Sequence, residues 1–225
     1  VKRYRQANVL QATQKRISDT FDAVEKVYVA FSGGKDSSVM LHLVMDEAIR
    51  RGKKVAVLIL DLEAQYKATI DHLEDMCLLY SEHIELHWVC LPLLLRNAVT
   101  NYEPRWTCWD PECKDIWVRE LPRRGISDAM FYPFFQPGME FEEFVVLWAE
   151  WWANGAITAG FIGIRAQESL HRYCAVATWE KRDLMLNGWR WTTKTSRGVY
   201  NVYPIYDWLT EDIWRYHARF PDKPH

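Results

Sequence analysis

Residues 27–38 read Val-Tyr-Val-Ala-Phe-Ser-Gly-Gly-Lys-Asp-Ser-Ser, and this stretch leaves few folds open to the chain. Val27–Phe31 is short, β-branched and aromatic, as expected of a strand buried on both faces of a parallel sheet. The pattern then breaks at Ser32-Gly33-Gly34. Two adjacent glycines permit positive φ and bring bare backbone N–H groups close to whatever sits there, which builds an anion-binding concavity. From Ser37 onward, Val39, Met40, Leu43, Val44 and Ala48 recur at helical spacing. The loop therefore opens a helix whose N-terminus adds partial positive charge at the same point. Lys35 adds a full charge, and Ser32, Ser37 and Ser38 add hydroxyls. Asp36 is the odd member, and a carboxylate beside a phosphate site makes sense with a divalent cation between them. The plain alternative is a Gly-Gly turn that merely starts a helix, but Ser32, Gly33, Gly34, Lys35, Asp36 and Ser37 all fit one purpose. The spacing is not that of a Walker A loop.

At 225 residues and 49% hydrophobic composition, the chain has the material for one α/β domain with a full core. A net charge of −2 provides no bulk electrostatic footprint for nucleic acid. No apolar run reaches the ~18 residues of a membrane span, and the polar start Val1-Lys2-Arg3-Tyr4-Arg5 is no signal peptide. Five scattered cysteines, Cys77, Cys90, Cys108, Cys113 and Cys174, argue against a disulfide framework and for a reducing compartment. The expected location is the cytoplasm.

In chain order, apolar spacing predicts an amphipathic helix over roughly 5–22, with Arg3, Arg5, Lys15 and Arg16 on or near it as a solvated face. Val55–Asp61 is a second buried strand. Asp61 closes it at the carboxyl end, where parallel sheets bind ligands, and helix capping is the competing role. Tyr66–Tyr80 is a helix and Ile84–Leu91 a third strand, whose His87 reads as an ordinary strand histidine. One helix and three strand-helix units imply a doubly wound, mostly parallel sheet with its crevice at the strand carboxyl ends.

Residues 92–155 interrupt that rhythm as a Trp-rich helical insertion. Leu93–Asn97 is expected to start a short helix. Cys108 and Cys113 have no second ligand pair, so a Trp-lined wall or a structural turn is expected ahead of half a zinc site. Arg119, Arg123 and Arg124 are placed to meet an anionic substrate, and 131–138 is an aromatic, proline-rich lid or partner surface. Phe141–Asn154 is a helix with a broad apolar face. A strand then ends at Gly163, where Arg165 and Ser169 offer anion donors towards the first loop. Arg172 is a further anion candidate. Glu180–Trp191 carries Lys181, Arg182 and Asp183, and 192–198 reads as a flexible basic loop able to close over phosphates or serve as a linker. Thr210 is expected to cap a helix whose Ile213, Trp214 and His217 pack inward, with Asp207 or Asp212 as nucleotide candidates and capping the competing role for Asp212. The whole reads as a single nucleotide-binding domain over 1–225. Because Phe220–His225 has no helix stop, the protein is expected to continue.

Three of these stretches resemble one family. Ser32–Ser37 resembles the SGGxDS signature of the N-type ATP pyrophosphatases, the superfamily that includes the phosphoadenosine-phosphosulfate (PAPS) reductases, the ATP sulfurylase small subunit and several tRNA-modifying enzymes. Gly163-Ile164-Arg165-Ala166-Gln167-Glu168-Ser169 is similar to a motif that PAPS-reductase-like proteins carry after their fourth strand, and Tyr203–Trp214 is similar to their Pro-Ile-x-x-Trp segment. The wording is closest to the IbrA-like, DUF3440-type branch. The resemblance implies an adenine-nucleotide alpha hydrolase-like (HUP-type) fold and a loop for the phosphates of ATP or PAPS. It also implies cleavage of ATP between the α- and β-phosphates. Lys35, Asp36 and Arg165 would do the chemistry, with Ser32, Gly33, Gly34, Ser37, Asp61, Gly163 and Ser169 completing the nucleotide site and Asp36 and Asp61 holding magnesium. A ParB/sulfiredoxin-like partner of the IbrB type, in regulation or phage defence, goes with that branch.

The departures bear on the reaction. Neither the Glu-Cys-Gly-(Leu/Ile)-His tail of thiol-dependent reductases nor the cysteine pairs of iron-sulfur reductases is present, which argues against sulfonucleotide reduction and against a cluster. The reading is an ATP-pyrophosphatase-type enzyme acting by adenylyl transfer. The alternatives are a non-catalytic ATP- or PAPS-sensing subunit and an enzyme of nucleic-acid sulfur modification, the last opposed by the near-neutral charge.

Overall fold

In a computed structural model of the protein, residues 6–97, 99, 102–177 and 184–225 are described. The expectations for Arg3 and Arg5, and for Lys181, Arg182 and Asp183, lie outside them.

Helix α1 (Val9–Ala23) begins at a capping box in which Asn8 and Gln11 exchange hydrogen bonds, so two otherwise unpaired donors are satisfied. Then come β1 (Lys26–Ala30), α2 (Lys35–Arg50), β2 (Val55–Leu60), α3 (Lys67–Leu79) and β3 (Ile84–Val89). The near-continuous apolar burial of β1 and β2 is the mark of parallel strands covered on both sides. After the insertion the chain forms α4 (Phe141–Ala153), β7 (Thr158–Ile162), α5 (Leu170–Ala177), the pair β8 (Thr192–Ser196) and β9 (Val199–Val202), and α6 (Thr210–Arg219). Within the insertion lie β4 (Leu94–Arg96), β5 (Arg105–Thr107) and β6 (Gly125–Ile126).

The sheet order is β6-β3-β2-β1-β7-β9-β8, parallel throughout except for the β8–β9 pair. This is the expected doubly wound, mostly parallel α/β sheet. The chain runs outward from β1 through β2 to β3 and later returns to the opposite side of β1 as β7. The reversal places a crevice beyond the ends of β1 and β7, where open sheets of this kind take ligands.

Some local expectations change. Residues 94–96 pair as antiparallel β4 with β5 instead of starting a helix; β-sheet pairing with a partner ten residues on outweighs the helical preference of a leucine run. The flexible loop expected over 192–198 is strand β8 and its turn, joined to β9 by a ladder from Thr192↔Val202 to Ser196↔Val199. Trp214 points outward at 53% exposed, while Ile213 and His217 are buried. Arg16, expected in a solvated face, instead grips Asp207 with both guanidinium nitrogens at 2.8 and 2.5 Å. That pairing occupies the Asp207 carboxylate. The tryptophans are largely core: Trp88, Trp109, Trp148 and Trp208 are fully buried. His87 is a buried strand histidine held by Glu85 and Tyr132.

Candidate functional site

β1 delivers Ser32–Gly34 to the crevice, and α2 starts immediately. Gly33 takes φ +73°, a conformation that L side chains resist. An added Cβ there would also press Thr69 and Leu73 of α3 at 3.0–3.1 Å. Gly34 is the N-cap of α2 and supplies no side chain, so the first N–H groups of the helix face outward without intrahelical partners. The serines tie the turn together. Ser37 Oγ donates to the Gly34 carbonyl at 2.9 Å and lies 3.0 Å from Ser32 Oγ, which accepts from the Gly34 N–H at 3.4 Å. Ser38 Oγ reaches the same carbonyl and sits 2.8 Å from His72 Nε2.

Arg165 meets this loop from the neighbouring strand end. The residue is 3% exposed, and its guanidinium donates Nε to Asp36 Oδ1 at 2.9 Å and Nη2 to Asp36 Oδ2 at 3.4 Å. Lys35 Nζ approaches the same carboxylate at 3.1 Å. Two cations thus converge on one carboxylate at the start of a sixteen-residue helix. Gly163 makes the approach possible. A Cβ on it would lie 3.1 Å from Ser37 Cα and 3.2 Å from Ser37 N, so β7 and the first turn of α2 touch backbone to backbone.

Sequence reasoning missed the residues that hold Arg165. Its Nη1 reaches Thr210 Oγ1 at 3.3 Å and Gln167 Oε1 at 3.4 Å, and Gln167 Oε1 also accepts from the Thr210 N–H. Thr210 is therefore not the cap of α6. Leu209 occupies that position, with its N–H satisfied by Asp212. Glu168 accepts from the Arg165 N–H at 2.9 Å and pairs with Arg172. Ser169 is exposed and accepts the Arg172 N–H at the start of α5, so its hydroxyl serves a helix terminus. The Gly-x-Arg-x-x-Glu-Ser spacing was the available signal for Gln167 and Glu168. For Thr210 there was none, because its contact spans 45 residues.

Asp61 stands on the other side of the loop. β1 and β2 are parallel neighbours, so Asp61, just past the end of β2, lies at the same carboxyl-end rim of the sheet as the loop that follows β1. Its carboxylate is fully buried and taken. It accepts from the Glu63 N–H and Trp88 Nε1, both at 2.9 Å, and from Arg119. Arg119, expected to meet an anionic substrate, is thus the counter-ion of Asp61 and lies over the Trp109 ring. Glu63, in the left-handed region at φ 64°, accepts the Trp109 and Val118 N–H groups at 2.7 and 3.1 Å. Together Asp61 and Glu63 fasten the insertion to the rim of the crevice. Burial pushes the Cys108 thiol up to about 11, its Sγ contacts the Leu91 and Leu93 carbonyls, and Cys113 is exposed. Among the described residues no group of three or more His, Cys, Asp or Glu is placed to hold a metal ion, and no helix is long and apolar enough to cross a membrane.

Residues 26–220 match the phosphoadenosine phosphosulfate reductase domain. The chain belongs to the PAPS reductase domain family. Within that family's reach it is 43% identical over 213 residues to the uncharacterized protein YbdN of Escherichia coli (strain K12), covering 94% of this chain and 52% of that protein. It is 27% identical over 204 residues to the uncharacterized protein MJ0066 of Methanocaldococcus jannaschii, covering 90% of this chain and 34% of that one. The chain thus spans about half or less of these relatives. Among solved structures it is similar to Candida glabrata FMN adenylyltransferase in complex with ATP, at 16% identity and TM-score 0.48 over 92% of this chain and 52% of that one. It is likewise similar to the U34-tRNA thiolase NcsA of Methanococcus maripaludis with its 4Fe-4S cluster, at 13% identity and TM-score 0.48 over 96% and 65%. The matched residues 26–220 include Ser32–Ser37 and Arg165, and the domain is in line with nucleotide binding.

Proposed function

We propose that the protein binds an adenine nucleotide through its phosphates at Ser32–Ser37 and cleaves ATP between the α- and β-phosphates, passing the adenylyl group to an acceptor or to water. The observation that carries this reading is the convergence of Arg165 and Lys35 on the Asp36 carboxylate at the start of α2. Groups arranged to hold a pair of anionic oxygens there suit phosphate oxygens equally well, and a guanidinium fork matches their geometry. In the bound state Lys35, Arg165 and the outward amides of α2 stabilise charge developing on the phosphates, and positioning and charge supply most of the rate in such transfers. The acceptor oxygen attacks the α-phosphorus in line, and pyrophosphate leaves.

Asp36 fits a magnesium ion as a single carboxylate donor, since magnesium completes its shell with phosphate and water oxygens; once bound, the ion would offset phosphate charge. To do so Asp36 exchanges Arg165 and Lys35, which turn to the phosphates, for the ion; Asp61, with its side chain fully buried against 12% exposed for Asp36, would have to release Arg119 and fits less well. In this reading the protein works in the cytoplasm with a ParB/sulfiredoxin-like partner, in regulation or phage defence, and Phe131 and Trp151, 49% and 38% exposed, offer that partner an aromatic surface.

The test is incubation with α-labelled ATP and magnesium, with and without the partner, separating AMP, ADP and pyrophosphate. Pyrophosphate equal to the sum of labelled AMP and labelled adenylylated acceptor, all lost in Asp36→Ala, is expected. ATP that binds but stays intact in both settings would overturn the enzyme reading in favour of a nucleotide sensor.

A further inference from the structure

Large apolar side chains stand exposed on both sides of the crevice mouth. Tyr66 immediately precedes α3, whose Thr69 and Leu73 border Gly33 of the phosphate loop. Ile116 and Val118 reach the same side because the Val118 N–H donates to Glu63 Oε1 at 3.1 Å. On the other side, Leu170 and Tyr173 lie in the first turn of α5, shortly after Arg165 in the chain. Leu209 caps α6 beside Thr210, which touches Arg165. These six residues are between 42% and 87% exposed. A single exposed apolar residue is ordinary. Here they border the segments that leave the carboxyl ends of β2, β7 and β9, with the phosphate loop among them, and an apolar rim of this kind marks an interaction surface.

The charges around the rim decide what fits it. Lys67 pairs with Asp71, Arg119 with Asp61, Arg172 with Glu168, and Lys35 and Arg165 with Asp36. Lys114 lies over the Trp117 ring and shares its turn with Glu112 and Asp115. A nucleic acid needs a row of free cations along its phosphates, and here the protein's own carboxylates already hold them. An apolar rim with neutralised charge suits another protein, whose aromatic and aliphatic anchors supply the binding. A second copy docked through the same patch would set two mouths face to face and bring no acceptor to either. We propose that the rim docks a different protein and that this protein carries the adenylyl acceptor. This rests on the cleavage reading of the site. A protein seated there covers the mouth, so the oxygen that reaches the α-phosphorus is one of its side-chain hydroxyls. The new P–O bond forms as the α–β bridge breaks; pyrophosphate leaves with the bonding electrons, and the hydroxyl proton passes to solvent.

The test places a photo-crosslinking benzophenone side chain, in the native host, at position 66, at position 170 or, as a control, at position 79, where Leu79 is exposed at the far end of α3. Adducts are expected at 66 and 170 above the control, removed by protease and untouched by nuclease. The protein they contain is then purified and incubated with the wild-type chain, α-labelled ATP and magnesium, where it is expected to take the label. In a variant combining Tyr66→Ser and Leu170→Ser, both exposed and so without cost to the core, labelling falls by about tenfold or more, while ATP affinity by calorimetry is unchanged. Adducts no stronger than the control, adducts that nuclease removes, or adducts only to another copy of the chain would overturn the proposal. So would AMP formation that neither the captured protein nor the rim variant alters. ATP that stays intact although the specific adducts form would instead refute the cleavage reading beneath it.

Discussion

Removing the Arg165 cation while keeping its bulk, by Arg165→Met, isolates the contact on which the site is built. The guanidinium and the Asp36 carboxylate are 4% and 12% exposed as side chains, and breaking a buried pair by deleting one partner costs about 3–5 kcal/mol. Lys35 Nζ remains 3.1 Å from Asp36 and offsets part of the loss, which brings it to the bottom of that range or just below, about 2–3 kcal/mol. Asp36→Asn leaves the guanidinium buried with the 3.3 and 3.4 Å contacts to Thr210 and Gln167 and a long 4.0 Å approach of Glu168 as its remaining charge partner, at a similar cost. The double variant leaves neither an unpaired buried cation nor its carboxylate, so the two losses do not add. Urea unfolding at pH 7, followed by tryptophan fluorescence, is expected to give a coupling energy of about 2 kcal/mol. By heating, each single variant melts roughly 4–10 °C lower. Losses that add within about 0.5 kcal/mol would refute the idea that the two groups act as one buried unit.

Two further outcomes follow from the same geometry. Gly163→Ala forces a methyl to 3.1 Å from Ser37 Cα, backbone that cannot swing aside. Overpacking of this kind costs about 1–3 kcal/mol, and nucleotide affinity measured by calorimetry should fall because the first turn of α2 is displaced; unchanged affinity would show that the turn does not hold the ligand. Stability should also fall with acid through His42, fully buried, with Nδ1 2.6 Å from the Tyr80 hydroxyl and Nε2 2.9 Å from the Pro224 carbonyl. Burial lowers its pKa from 6.5 to about 4, so the unfolded chain binds the extra proton first. Stability is then full above about pH 6.5 and drops by about 3 kcal/mol as pH falls to about 4. Urea midpoints across that range, flatter in His42→Gln, check it.

Much of the fold was legible because it rests on local patterns. Buried apolar runs such as 55–60 have the length and composition of parallel strands, and the amphipathic spacing of 9–23 and 67–79 announces helices packed on them. The glycine turn that opens α2 was legible for the same reason, since two glycines, a lysine and the helix start are neighbours in the chain. The antiparallel β4–β5 pair was misread because a leucine run carries no register, and β8 because Thr192–Ser196 is polar and becomes a strand only beside β9. The outward face of Trp214 was equally silent, since a helix's apolar side is decided by what it packs against.

The sequence by itself determined a doubly wound α/β fold, the strand-turn-helix at Ser32–Ser37 and the strand that ends at Gly163, because strand, glycine turn and helix start are encoded within a dozen residues each. Only the tertiary structure decided who holds whom. Arg165 lies 129 residues from Asp36 and meets it in a buried pair, while Arg119 turns away from any incoming anion to neutralise Asp61. Both choices follow from burial: a charge enclosed at the carboxyl ends of the central strands must find its counter-ion among whatever the fold brings within reach. Such partners share no spacing that a chain read in order can display.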